Sequence, residues 1–184
     1  MSLRVISGIA RGKKLKSVPG DTTRPVMDRV KEALFNILAD DVIGSKWWDL
    51  FGGTGAIGIE AISRGASFVR FTDLNRLPVE TIKENVEHCG FTRQCEVRRG
   101  DAFNLLTAKA DEEFEYIYIA PPQYKQMWLN ALKLVDANMS WLTEDGTVIV
   151  QIDPTEYEQV ELINLLEGEQ RKYGSTLLVF YDQK

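Results

Sequence analysis

The sequence predicts an α/β fold built on a mostly parallel sheet. Three observations lead there. From Lys46 onward, apolar strand-length runs alternate with helix-length segments. A glycine turn joins the first of those strands to the first of those helices. The residues with chemistry to offer fall at the ends of four successive strands. Alternation at this spacing means βαβ units with right-handed crossovers. Ligands in such sheets sit beyond the carboxyl ends of the strands.

The glycine turn lies in Trp47-Trp48-Asp49-Leu50-Phe51-Gly52-Gly53-Thr54-Gly55-Ala56-Ile57-Gly58. Gly53, Gly55 and Gly58 fit the G-x-G-x-x-G spacing of a nucleotide-binding unit. The free N–H groups at the following helix start face a ligand. Asp73 follows Gly53 by 20 residues at the end of the next strand-like run, beside Leu74. A carboxylate there accepts hydrogen bonds from ribose hydroxyls. The motif fits NAD and S-adenosylmethionine equally, and a glycine turn can also merely pack a helix on a strand. Asp49 tips the choice. A carboxylate just before the glycines suits the ammonium or hydroxyls of a methionine-like tail.

The expected strands are about 47–51, 68–72, 95–99, 116–120 and 147–152. The expected helices are about 56–64, 76–89, 102–109 and 124–140. Asp49, Asp73, Asp101 and Pro121 then share one crevice. Asp101 suits an adenine amino group and the Ala102 N–H a ring nitrogen, although Asp101 serves equally as a helix cap. After the fourth strand comes Ala120-Pro121-Pro122-Gln123-Tyr124. Successive prolines make a stiff turn without N–H donors, whose carbonyls can accept from an exocyclic amine. Tyr124 can stack on an extruded base. Tyr157 to Leu166 has helical spacing, and Gln170 to Tyr181 reads as a terminal hairpin.

Upstream, residues 1–21 read as a basic β-hairpin arm outside the main sheet, and 22–40 as a helix. Thr22 or Thr23 suits its cap and Pro25 its first turn. Val26, Val30, Ala33, Leu34, Ile37 and Leu38 form its buried stripe. Residues 46–184 form the core, all within one domain.

The net charge is −5, yet residues 1–31 hold eight Lys and Arg against two acids. A basic arm on an acidic body suggests a polyanionic partner. Arg4, Arg11, Lys13, Lys14, Lys16 and Arg24 are the candidate contacts to RNA phosphates. Cys89 and Cys95 follow no metal spacing and read as reduced thiols. One histidine, His88, leaves little for a Ser-His-Asp or zinc-hydrolase mechanism. No apolar run reaches the ~20 residues of a membrane span, and no signal-peptide layout opens the chain. A cytoplasmic protein without a metal is expected.

The set Arg4-Val5-Ile6-Ser7-Gly8, Arg11-Gly12-Lys13-Lys14-Leu15, Thr23-Arg24-Pro25, Asp28 to Asn36, Asp49 to Gly58 and Pro121-Pro122 resembles the bacterial small-subunit ribosomal RNA guanine-N2 methyltransferase D family. The resemblance covers nearly the whole chain, and its N-terminal segment is the most specific part. It implies a class I, Rossmann-like methyltransferase fold with a seven-stranded sheet and S-adenosylmethionine as donor. It also implies methylation of a guanine amino group in 16S rRNA within an assembling subunit. A monomer is expected. The implied cofactor residues are Asp49, Phe51, Gly52, Gly53, Gly55, Asp73, Leu74, Asp101 and Ala102. Ala120, Pro121, Pro122 and Tyr124 are the implied catalytic set. The chain departs from the family pattern at Ala120, where such enzymes carry Asp or Asn. It departs again at Gln123, which delays the usual aromatic to Tyr124 and whose oxygen could replace the missing acceptor. A non-catalytic RNA-binding assembly factor, an adenine or protein-amide methyltransferase, and an NAD-linked oxidoreductase are the alternatives.

Overall fold

The computed structural model describes residues 2–20, 26–123 and 125–184. Its centre is a seven-stranded sheet in the order β3-β2-β1-β4-β5-β7-β6. The strands are β1 (Lys46–Asp49), β2 (Phe68–Asp73), β3 (Cys95–Arg99), β4 (Phe114–Ile119), β5 (Leu142–Ile152), β6 (Leu165–Tyr173) and β7 (Thr176–Gln183). The first five run parallel, and β7 lies antiparallel between β5 and β6. Because β2 and β4 flank β1 on opposite sides, strand order reverses at β1 and β4. Their carboxyl ends therefore open a crevice.

Both faces of the sheet are covered. On one lie α1 (Asp28–Leu38), α2 (Ala56–Ser63) and α3 (Arg76–Cys89), around Trp47, Phe71, Tyr116 and Tyr118. On the other lie α4 (Ala102–Thr107) and α5 (Met127–Ala137), around Trp48, Phe114, Ile117 and Trp128. The paired tryptophans show the logic, since successive strand residues point to opposite faces. Trp47 stacks near Tyr116 at 4.6 Å and Trp48 near Trp141 at 4.7 Å.

Three expectations are corrected. The helix expected over 22–40 begins at Asp28, because Met27 is extended at ψ 144°. Val26 is thereby released from the helical stripe and lines the crevice. The expected caps and first turn at Thr22, Thr23 and Pro25 lie outside the described residues. The helical spacing over Tyr157–Leu166 produces no helix. Buried Asp136 of α5 instead accepts from the backbone N–H groups of Ile163, Asn164 and Leu165, each at 2.8 Å. These bonds replace helical partners and lead the chain straight into β6.

The third correction concerns residues 2–20. They lie outside the sheet as a short hairpin, held by the Arg4–Lys14 bridge and by Val5 N donating to the Lys13 carbonyl at 2.9 Å and Leu15 N to that of Leu3 at 2.8 Å. They do not project as an arm. Leu3, Val5, Ala10 and Leu15 are buried in the core against the helices. Glu60 of α2 accepts from the N–H groups of Ile6 and Ser7 at 2.9 and 3.0 Å. Ser63 Oγ accepts from Ala10 N, and Asn85 Oδ1 from Lys16 N. Gly8 passes so close to α2 that a Cβ there would lie 1.8 Å from the Ser63 carbonyl oxygen, so only glycine fits. Behind this contact, Lys31 and Glu60 form an ion pair at 3.5 Å with both side chains fully buried. Lys31 Nζ also donates to the Arg4 carbonyl. Burial pulls the Lys31 pKa down and the Glu60 charge opposes it.

Candidate active site

The crevice encloses about 440 Å3 above the carboxyl ends of β1, β2, β4 and β5. Its floor follows from the glycine turn. Gly53 and Gly55 adopt left-handed φ values of 59° and 80°. The loop is pinned by Gly52 N donating to the Thr72 carbonyl at 2.7 Å. Gly58 has a different task. A Cβ there would lie 2.3 Å from Phe71 Cε1, so its absence lets α2 close onto β2.

Asp49, Phe51, Gly52, Gly53, Asp73, Leu74, Asp101 and Ala102 all line the crevice, while Gly55 caps α2 just beneath. Ala120, Pro121, Pro122 and Gln123 line it too. Tyr124 and Arg24 lie outside the described residues. Thus the four strand ends do converge.

Asp49 is 2% exposed and, among the described residues, has no cationic partner. Burial pushes its carboxyl up to about 8, against a hydrogen bond from the Gly58 backbone, with Asp73 adding to the rise. A buried acid in this state is a ready acceptor for a cation. Asp73 accepts from Gly53 N at 3.2 Å and Asn75 N at 2.9 Å, with the Leu74 N–H also contributing. Its pKa is also raised, chiefly by burial. Each oxygen keeps capacity for a hydroxyl donor. Asp101 caps α4, accepting from Phe103 N at 2.8 Å and Asn104 N at 3.3 Å. Both bonds use Oδ1, so the cap and a ligand role on Oδ2 are compatible.

Some lining residues escaped the sequence reading. Phe103 meets Phe51 edge-on at 6.2 Å and makes an apolar wall. Tyr118, buried beside Asp49, donates to Gln151 Oε1 at the end of β5. The one polar side chain closing the run Val148-Ile149-Val150-Gln151 was a usable signal. Met27, from the residues just before α1, and Ser175 and Thr176, from the turn of the expected terminal hairpin, also line the crevice.

The basic residues divide. Arg4 pairs with Asp28 at 3.2 Å and Lys16 with Glu84 at 2.6 Å. Lys13 Nζ donates to the His88 carbonyl at the carboxyl end of α3, and Ile9 N to that of Ser63 at the end of α2. Since the crevice lies at the amino ends of those helices, the tip carrying Arg11 and Lys13 sits a helix length away. Arg29, in contrast, lies 5.9 Å over the Tyr173 ring, beside the rim. Among the described residues no group of three or more His, Cys, Asp or Glu is placed to hold a metal ion. Nor is any helix long and apolar enough to cross a membrane.

A family model described as conserved hypothetical protein 95 matches residues 3–182. The ribosomal RNA small subunit methyltransferase D of Haemophilus influenzae is 31% identical over 154 residues, covering 82% of this chain and 79% of its own. The chain belongs to the ribosomal RNA small subunit methyltransferase D family. The Bacillus subtilis protein YlbH is 37% identical over 185 residues, covering 99% of this chain and all of its own. The solved structure of Escherichia coli yhhF superposes with a TM-score of 0.88 at 25% identity, over 100% and 99% of the two chains. The fold is that of the S-adenosylmethionine-dependent methyltransferases, and S-adenosylmethionine is the cofactor of this family. The residues present fit it. A buried acid without a cation suits an ammonium, a carboxylate with spare acceptor capacity suits a diol, and an aromatic wall suits a flat base.

Proposed function

We propose that this chain methylates the exocyclic N2 amine of a guanine in small-subunit ribosomal RNA. One observation carries the reading. The cofactor half of the crevice, at β1, opens directly onto the Pro121-Pro122 turn at the end of neighbouring β4, so donor and acceptor share one cavity.

When bound, S-adenosylmethionine would supply a methyl group on its positively charged sulfur: a carbon–nitrogen bond to the amine would form as the carbon–sulfur bond breaks, leaving S-adenosylhomocysteine, and the surplus amine proton would pass to solvent. The chain's own contribution is placement. Asp49 holds the ammonium, Asp73 the ribose hydroxyls, and Asp101 with Phe103 and Phe51 the adenine. The carbonyls of Ala120 and Pro121 orient the amine, whose lone pair is otherwise delocalised into the ring. Tyr124 stacks on the base. Alignment alone can supply about 7–11 kcal/mol in favourable cases, so a missing carboxylate at position 120 is compatible with turnover. Before cofactor binds, Asp49 is largely protonated at pH 7, given its value of about 8. The arriving ammonium favours the ionised form, so cofactor binding releases a proton.

The names of the relatives support ribosomal RNA as substrate, and Arg29 beside the rim supports approach of a polyanion from that side. Ala120 favours a second reading, an RNA-binding assembly factor that retains the cofactor fold. Cells lacking this chain separate the two. Nucleoside mass spectrometry of their 16S rRNA is expected to show one N2-methylguanosine fewer, restored by the intact gene. An unchanged nucleoside profile would sink the proposal.

A further inference from the structure

Gln151 stands beside the acceptor turn. The β4–β5 register pairs Tyr118 with Ile149 and Ile119 with Val150, which sets Gln151 abreast of Ala120. Paired residues of parallel strands share a face, so Asp49, Tyr118, Ala120 and Gln151 line up along the carboxyl edge on one face of the sheet. The neighbours of Gln151 on β5 are buried apolar residues, Val150 and Ile152, whereas Gln151 itself is half-buried and lines the crevice. Its amide is held at one end, because the buried Tyr118 hydroxyl donates to Oε1. That leaves a second lone pair on Oε1 and two donors on Nε2. At position 120 only a methyl group stands between this amide and the Pro-Pro turn.

A guanine whose N2 amine sits at that turn presents two further groups in sequence along the same edge, the N1–H donor and the O6 acceptor. A side-chain amide complements them with two parallel hydrogen bonds. Oε1 accepts from N1–H and Nε2 donates to O6. We infer that Gln151 reads the N1–H/O6 edge of the target guanine, with Tyr118 fixing which end of the amide meets which atom. This rests on the guanine reading above and adds the residue that selects the base. A purine with an adenine-type edge would set acceptor against acceptor at N1 and donor against donor at C6. A site built to hydrogen-bond one edge rejects the reversed one strongly, because its polar groups are left unpaired.

The base 2,6-diaminopurine makes the test direct, since it keeps the N2 amine but carries the adenine-type edge. Small subunits would be reconstituted with 16S rRNA carrying guanine or 2,6-diaminopurine at the methylated position. The protein is expected to favour guanine in kcat/KM by roughly 10- to 100-fold. In Gln151→Leu the guanine rate is expected to fall until the two bases agree within roughly threefold, with S-adenosylmethionine affinity unchanged as evidence of an intact fold. Gln151→Glu, which repels O6, is expected to lose the preference as well. Tyr118→Phe, which frees the amide to flip, is expected to lower the preference without abolishing it. A Gln151→Leu enzyme that keeps the preference, or loses rate equally on both bases, overturns the inference while leaving guanine methylation standing. A native enzyme that labels neither particle overturns both.

Discussion

Glu60 of α2 and Asp49 at the end of β1 are both buried acids, yet their surroundings are opposite. Glu60 accepts from two backbone N–H groups of the N-terminal segment, from Arg64 at 2.9 Å, and faces Lys31 at 3.5 Å. Asp49 has the Gly58 backbone as donor, no cation among the described residues, and another acid nearby. A saturated acid fastens chain to chain. An under-paired acid instead keeps its proton until a cationic ligand favours the ionised form. The difference separates the half of the molecule that holds from the half that binds.

The largest expected effect tests the holding half. Glu60→Ala strands Lys31 in the core and should destabilise the protein by about 3–5 kcal/mol, read as a lower urea midpoint at unchanged slope. A loss below about 1 kcal/mol would mean that the N-terminal segment docks by apolar contact alone.

Asp49→Asn should act in the other direction. The folded value of about 8 lies above the ordinary carboxylate value. Between about pH 4 and pH 8 the native state therefore holds a proton that the unfolded chain gives up, so stability falls as pH rises through that window. Asparagine keeps an acceptor for Gly58 but has no such proton. The variant should match the native protein at pH 4 and exceed it, without cofactor, by on the order of 2–4 kcal/mol at pH 7.5. Calorimetry in buffers of different ionisation heat should show proton release on S-adenosylmethionine binding for the native protein and none for the variant. A pH-independent stability difference would remove the contrast with Glu60.

Asp73→Ala sharpens the picture within the crevice. Removing a charged acceptor for two hydroxyls should weaken S-adenosylmethionine binding by about 1.5–3 kcal/mol, measured as Kd. An unchanged Kd would move the ribose elsewhere. The smallest effect is expected at the surface. Arg29→Ala should reduce the salt dependence of RNA affinity by about one phosphate contact, whereas Arg11→Ala, at the far ends of α2 and α3, should leave it unaltered. The reverse pattern would place the RNA on the N-terminal segment.

These regions also differ in how far the sequence reveals them. The glycine turn, Asp73 and the Pro-Pro turn are legible because strand, turn and helix signals are local and periodic. The parallel sheet and its crevice follow from them. The docking of residues 2–20 is hidden, because their anchors Glu60, Ser63 and Asn85 lie more than 50 residues on. A basic alternating run looks the same whether it projects or packs. Tyr157–Leu166 misleads for a similar reason, since its helical spacing is overruled by one distant carboxylate, Asp136. Gln151 and Thr176 reach the crevice only through strand register, which pairs residues without regard to local pattern.

The most direct measurement is methyl transfer by the purified protein. Small subunits lacking the modification are incubated with S-adenosylmethionine labelled in the methyl group, and the RNA is digested to nucleosides. Label in N2-methylguanosine is the expected result, and it would show that Ala120 supports turnover. No label, from a protein that still binds S-adenosylmethionine, would contradict the account and leave a binding protein in its place.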